Sequence, residues 1–263
     1  MTTPSRSGLW YAVGAYLLWG LLPLYFLTLA PVGPWELVAL RILLSLIFCG
    51  ILIAVTRNWS AFWSLVRTPR ILFLFAAVGA LIWVNWTVYV LAVLNDQVIE
   101  ASLGYFINPL VTIFLGVFIL RERLRPLQWT AVAISFVAVT VLTIGYGHVP
   151  YLALILAFSF GLYGFVKKKA GPQVDAVSGL TLETLWLAPV AVVQLIWVAN
   201  TTGLTYGNEG VANTVLLSLA GIVTAVPLLM FAAAARRVPL VYLGLFIGAA
   251  AIVVGLGVKR GIE

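Results

Sequence analysis

Long apolar runs, each closed by a short cluster of charged or Gly/Pro residues, follow one another along almost the whole chain. Runs bounded in this way predict nine helices, at about 8–29, 34–55, 71–94, 100–120, 126–145, 150–166, 179–198, 211–235 and 240–258. Each approaches the roughly 20 residues that cross a bilayer core about 30 Å thick at ~1.5 Å per residue. With 63% hydrophobic and 9% charged residues, against about half and a quarter in soluble domains, the fold class is an all-α polytopic membrane protein. The first run, Gly8 to Leu29, follows Arg6 as a signal peptide would. It is too long for that and more spans follow, so it is read as a retained helix.

The net charge of +7 does not point to nucleic acid, because the basic residues sit in loops between apolar runs. With a cytoplasmic N-terminus, one side receives Arg6, Arg57, Arg67, Arg70, Arg121, Arg123, Arg125, Lys167, Lys168, Lys169, Arg236 and Arg237. Of the 15 Lys and Arg residues only Arg41, Lys259 and Arg260 fall elsewhere, while Asp96, Glu100 and Glu209 mark the other side. The positive-inside rule selects this orientation, and the lipid bilayer is the expected partner.

The chain also repeats itself. Leu103-Gly104-Tyr105-Phe106-Ile107 matches Leu243-Gly244-Leu245-Phe246-Ile247, 140 residues on. Leu40-Arg41 aligns with Leu182-Glu183 and Gly79 with Gly221, both at 142. The first four helices thus correspond to the sixth to ninth. Five helices per unit is an odd number, so the second copy must insert upside down, an architecture found in secondary transporters. The units expected are 8–145 and an incomplete 150–263. A counterpart of the helix starting at Pro126 would begin near residue 266, so a tenth helix is expected to be missing.

One cysteine, Cys49, and one histidine, His148, exclude a Cys/His zinc site and an intrachain disulfide; Cys49 reads as a small buried apolar side chain. No Walker loop, HExxH pair or GxSxG elbow occurs, so neither a cofactor, a metal nor an enzymatic reaction is expected. Membrane-embedded charges cost roughly 2.5–3.5 kcal/mol each on insertion scales, and three candidates stand out: Glu36, Arg41 and Glu183. Glu36, beside Pro34, either caps its helix or joins the site. Arg41 and Glu183 occupy equivalent repeat positions and are expected to meet, either in a cavity that binds a charged substrate group or couples protons, or as an ion pair that fixes packing. Asn85, Trp86 and Tyr89, with Tyr105 and Asn108 before Pro109, form a polar and aromatic concentration suited to a planar substrate. Trp83, Trp19, Tyr16 and Tyr163 are weaker candidates, since aromatic residues also form interfacial belts. Gly244 and Gly248 suit close helix packing, more simply within one chain than in a homodimer.

The stretches YAVGAYLLWGLLPLYF (11–26), EASLGYFINPL (100–110), RERLRPLQW (121–129), AFSFGLYGF (157–165), GLTLETL (179–185) and FAAAARR (231–237) resemble the RarD branch of the EamA drug/metabolite transporter superfamily. The resemblance implies a ten-helix inner-membrane permease of two EamA repeats that carries small metabolites or drugs. After Leu245 the chain departs from the family's pattern and ends in a short basic tail. The alternative expectation is accordingly a truncated, inactive or purely structural membrane protein. Facilitative and proton-coupled transport both fit these residues. In intact bacteria, a cysteine replacing Arg67 or Lys168 should resist an impermeant maleimide added outside; ready labelling would reject the orientation.

Overall fold

The computed structural model describes residues 5–95, 97–170 and 172–244. Nine α-helices span Arg6–Leu27 (α1), Pro34–Val55 (α2), Trp59–Val66 (α3), Pro69–Leu94 (α4), Val98–Phe114 (α5), Pro126–Tyr146 (α6), Tyr151–Ala170 (α7), Ala176–Thr201 (α8) and Gly210–Ala235 (α9), and α5 runs on through a π-helical turn at Leu115–Ile119. Among the described residues, 8 helices are long and apolar enough to cross a membrane, so the chain is a multi-pass membrane protein. A further helix starts at residue 240 and is described to 244; the remainder of the expected ninth span, with Gly248, Lys259 and Arg260, lies outside the described residues.

Three local features differ from the sequence expectation. The stretch between α2 and α4, expected as a loop, contains the two-turn helix α3, which buries Phe62 and leaves Trp59 and Trp63 exposed; amphipathic rings of this kind sit well at a bilayer interface. Helix α7 continues through Lys167–Lys169 to Ala170. Helix α8 begins early because the Asp175 carboxylate accepts the orphan N–H groups of Val177 and Ser178, each at 3.0 Å.

Helices α2 and α8 form the antiparallel centre. Helix α9 packs on α2 and α4 on α8, while α1 lies on α9 and α7 on α4; α5 packs on α7, and α6 lies at the edge against α5. Lipid is as apolar as the side chains, so this packing depends on close backbone approach and on polar contacts. Gly221 of α9 shows the first: a Cβ placed there would stand 2.4 Å from the Leu44 carbonyl carbon of α2. Gly79 of α4 lies similarly against the Glu183 carbonyl of α8, at 3.1 Å.

Helix ends are tied by acidic side chains from distant segments. Glu36 at the start of α2 accepts the Thr205 and Tyr206 N–H groups and the Thr205 hydroxyl at 2.8–3.0 Å. Glu100 accepts the Leu152 N–H at the start of α7, at 2.8 Å. Glu122 accepts those of Leu240 and Val241, at 2.8 and 2.9 Å. Each anion supplies acceptors where helix or turn donors would otherwise be unmatched at the membrane edge.

Replacing Gly221 by Val should drive a side chain into the α2 backbone and cost on the order of 1–3 kcal/mol, read as a lower melting temperature in detergent. Gly50→Ala meets nothing within 4 Å and should be neutral or stabilise by up to about 1 kcal/mol. Equal tolerance at both positions would contradict the packing described.

Candidate functional site

Arg41, the buried cation in the first half of the chain among the described residues, is only 3% exposed. Its Nε–H donates to Thr224 Oγ1 of α9 at 2.8 Å. The guanidinium carbon lies 4.7 Å from the Trp86 ring centroid and 5.1 Å from that of Phe26. A hydrogen bond from a charged group contributes about 1.5–3 kcal/mol and each cation–π contact about 0.5–2 kcal/mol. Together they offset a membrane insertion cost of roughly 2.5–3.5 kcal/mol without neutralising the charge. Tyr25, Tyr89 and Tyr105 lie within electrostatic reach of Arg41, and the Tyr89 and Tyr105 rings meet edge to face at 5.7 Å. Both tyrosines are only half-buried. Helices α1 and α5 are bridged by the helix that begins at residue 240: the Tyr16 hydroxyl donates to Leu243 O at 3.3 Å, and a Cβ at Gly244 would stand 3.0 Å from Ile113 and 3.2 Å from the Pro109 carbonyl oxygen.

Asn85 and Asn108, expected beside Tyr89 and Tyr105, do different work. Asn85 Nδ2 donates to Leu156 O and Ser159 Oγ, both at 3.0 Å. Asn108 Nδ2 donates to Ala157 O at 3.1 Å, and its Oδ1 accepts from Thr112. Both amides therefore staple α4 and α5 to α7. Trp83 is directed away, toward Gln194 of α8. Tyr16, Trp19 and Tyr163 join Phe160 and Phe231 in an aromatic knot between α1, α7 and α9.

The expected meeting of Arg41 and Glu183 does not occur. Glu183 is fully buried, ion-paired with Lys167 and accepting a hydrogen bond from Tyr163 at 3.3 Å. The cause is the antiparallel run of α2 and α8: Arg41 and Glu183 lie equally far from the starts of the two helices, and so at different depths in the bundle. Glu183 and Thr181 are instead neighbours of Cys49, eight residues or about 12 Å of helix beyond Arg41. Glu36 is likewise committed to the 205–206 turn rather than to Arg41. A shallow recess lined by Phe75, Lys167, Asp175, Gly179 and Arg236 opens beside the ion pair.

Lys167, Thr224 and Phe26 were not singled out from the sequence. Lys167 was legible in principle: three consecutive lysines on a helix point about 100° apart, so one of them turns inward once α7 continues past residue 166. Thr224 and Phe26 carry no such signal in an apolar run.

Comparison with known proteins bears on this bundle as a whole. Residues 6–144 match the EamA-like transporter family. The chain is 47% identical to a RarD protein of Streptomyces exfoliatus over 91% of this chain and 76% of that one. It is 43% identical to the RarD protein of Escherichia coli strain K12, covering 92% and 81%. It is 40% identical to an uncharacterized transporter of Vibrio cholerae, covering 92% and 80%. A solved crystal structure only 19% identical shares the fold, with a TM-score of 0.69 over 99% of this chain and 91% of that one. The chain therefore belongs to the EamA-like transporter family, in the RarD branch of the drug/metabolite transporters, and is a membrane transporter of that type.

Proposed function

We propose that this protein is a secondary transporter that moves a small molecule across the bacterial inner membrane, by alternating access between inverted repeats at 8–145 and 150–263, with its N-terminus and basic loops in the cytoplasm. The observation that carries this reading is Arg41, a buried guanidinium of the first half anchored on Thr224 of the second, amid half-buried tyrosines. The inversion is supported by the contacts: exchanging α1 with α7, α2 with α8 and α4 with α9 maps the packing of α9 on α1 and α2 onto that of α4 on α7 and α8. It is supported too by a family match that ends at residue 144, beside the end of α6. Arg41, Trp86, Tyr89 and Tyr105 form the substrate site; Asn85 and Asn108 hold its walls, and Glu36 ties its outer rim.

Glu183 is the group suited to coupling. Protonation would discharge the carboxylate and release Lys167, freeing α7 from α8 at the cytoplasmic end. Removing one member of a buried ion pair strands the other, at about 3–5 kcal/mol, whereas an apolar pair of similar volume is often neutral. Lys167→Met should therefore lower thermal stability and membrane abundance, and Lys167→Met with Glu183→Leu should restore both. In right-side-out and inside-out vesicles screened with small metabolites, the wild type should show saturable flux that responds to an imposed pH gradient. The double variant should have lost that response. Recovery of both stability and pH-driven flux would make the pair a packing device only, and wild-type vesicles without saturable flux would favour a purely structural protein.

A further inference from the structure

We infer that the Arg41 site recognises an anion: an oxyanion group such as a carboxylate, sulfonate or phosphate, carried on a flat apolar body. The inference rests on the transport reading for its biological use, but the charge argument is independent of it. Among the described residues the acidic side chains next to buried or terminal donors are committed elsewhere. Glu36 holds Thr205 and Tyr206, Glu100 holds Leu152, Glu122 holds Leu240 and Val241, Asp175 caps its own helix, and Glu183 holds Lys167. None of them forms an ion pair with Arg41.

The two halves differ at the corresponding place. In the second half Lys167 neutralises Glu183. The position 142 residues before Lys167 is Tyr25, which lies near Arg41 but gives its hydroxyl proton to Leu216 O at 2.6 Å. The repeat that supplies a counter-charge in one half thus supplies none in the other. Of the Arg41 N–H groups only Nε–H has a hydrogen-bond partner among the described residues, leaving the terminal nitrogens of a fork that matches an oxyanion. The Tyr89 and Tyr105 hydroxyls beside it also make no hydrogen bond to another described residue. Hydroxyl and guanidinium donors within electrostatic reach of one another favour an acceptor-rich, negatively charged group. A cation there would face like-charge repulsion in a medium that screens it poorly. The Trp86, Phe26, Tyr89 and Tyr105 rings favour a planar apolar remainder.

The test uses three probes of one shape: benzenesulfonate, which is permanently anionic, benzenesulfonamide, which is neutral at pH 7, and benzyltrimethylammonium, which is permanently cationic. Binding to the full-length purified chain is read by ligand-dependent shifts in melting temperature, and flux by counterflow in proteoliposomes. Benzenesulfonate should bind roughly ten- to hundred-fold more tightly than the other two, the range expected for a charge-assisted hydrogen bond. Arg41→Gln should erase the preference, and Arg41→Lys, which keeps the charge without the fork, should keep part of it. Should Arg41→Gln not fold, the wild-type ranking of the probes and the Lys variant still decide. Equal or stronger binding of the neutral or cationic probe, no binding of any probe at millimolar concentration, or a preference unchanged in Arg41→Gln would overturn the inference. Arg41-dependent benzenesulfonate binding without flux would uphold the anion site while counting against transport. Saturable flux of the neutral or cationic probe, indifferent to Arg41, would uphold transport while overturning the anion site.

Discussion

The antiparallel contact of α2 with α8 is the constraint on which the rest of this molecule depends. Around it backbone meets backbone, Gly221 of α9 against α2 and Gly79 of α4 against α8, and the antiparallel run sets Arg41 and Glu183 at different depths. In water such a pair of helices would be held mainly by apolar burial; in a bilayer that drive is absent between helices. Geometry and polar matching must do the work instead. The consequence is visible in Asn85, Asn108 and Ser45, each of which binds a carbonyl across a helix boundary.

Buried Arg41 and Glu183 differ in kind. Glu183 and Lys167 cancel each other inside the wall of the bundle, with the Tyr163 hydroxyl completing the set. Arg41 is sheltered by rings and one threonine rather than neutralised. The amide staples fix α4 and α5 on α7.

The membrane-spanning helices were legible in the sequence because period and length are imposed by the bilayer. Pro34 and Pro126 mark helix starts as the residues predict. The buried charges were legible too, since an Arg or Glu in an apolar run has few surfaces to face. Their partners were not. Depth along the bundle decides who meets whom, and depth follows from helix direction together with the distance from each helix start. Aligning Arg41 with Glu183 suggests proximity, whereas the antiparallel run of α2 and α8 sets them at different depths. Trp83 and Asn85 illustrate the other limit: two residues apart on α4, they face different helices, and only packing shows which ring borders Arg41.

Site-directed cross-linking in native membranes tests this arrangement most directly. In a Cys49→Ser background, paired cysteines at 41 and 224 and at 167 and 183 should be joined by a short bifunctional thiol reagent, because the native side chains of each pair meet tip to tip across a backbone gap wider than a disulfide spans. A pair at 41 and 183 should not, being separated by about two turns of helix. Efficient cross-linking of 41 to 183, with neither of the other pairs reacting, would contradict the account.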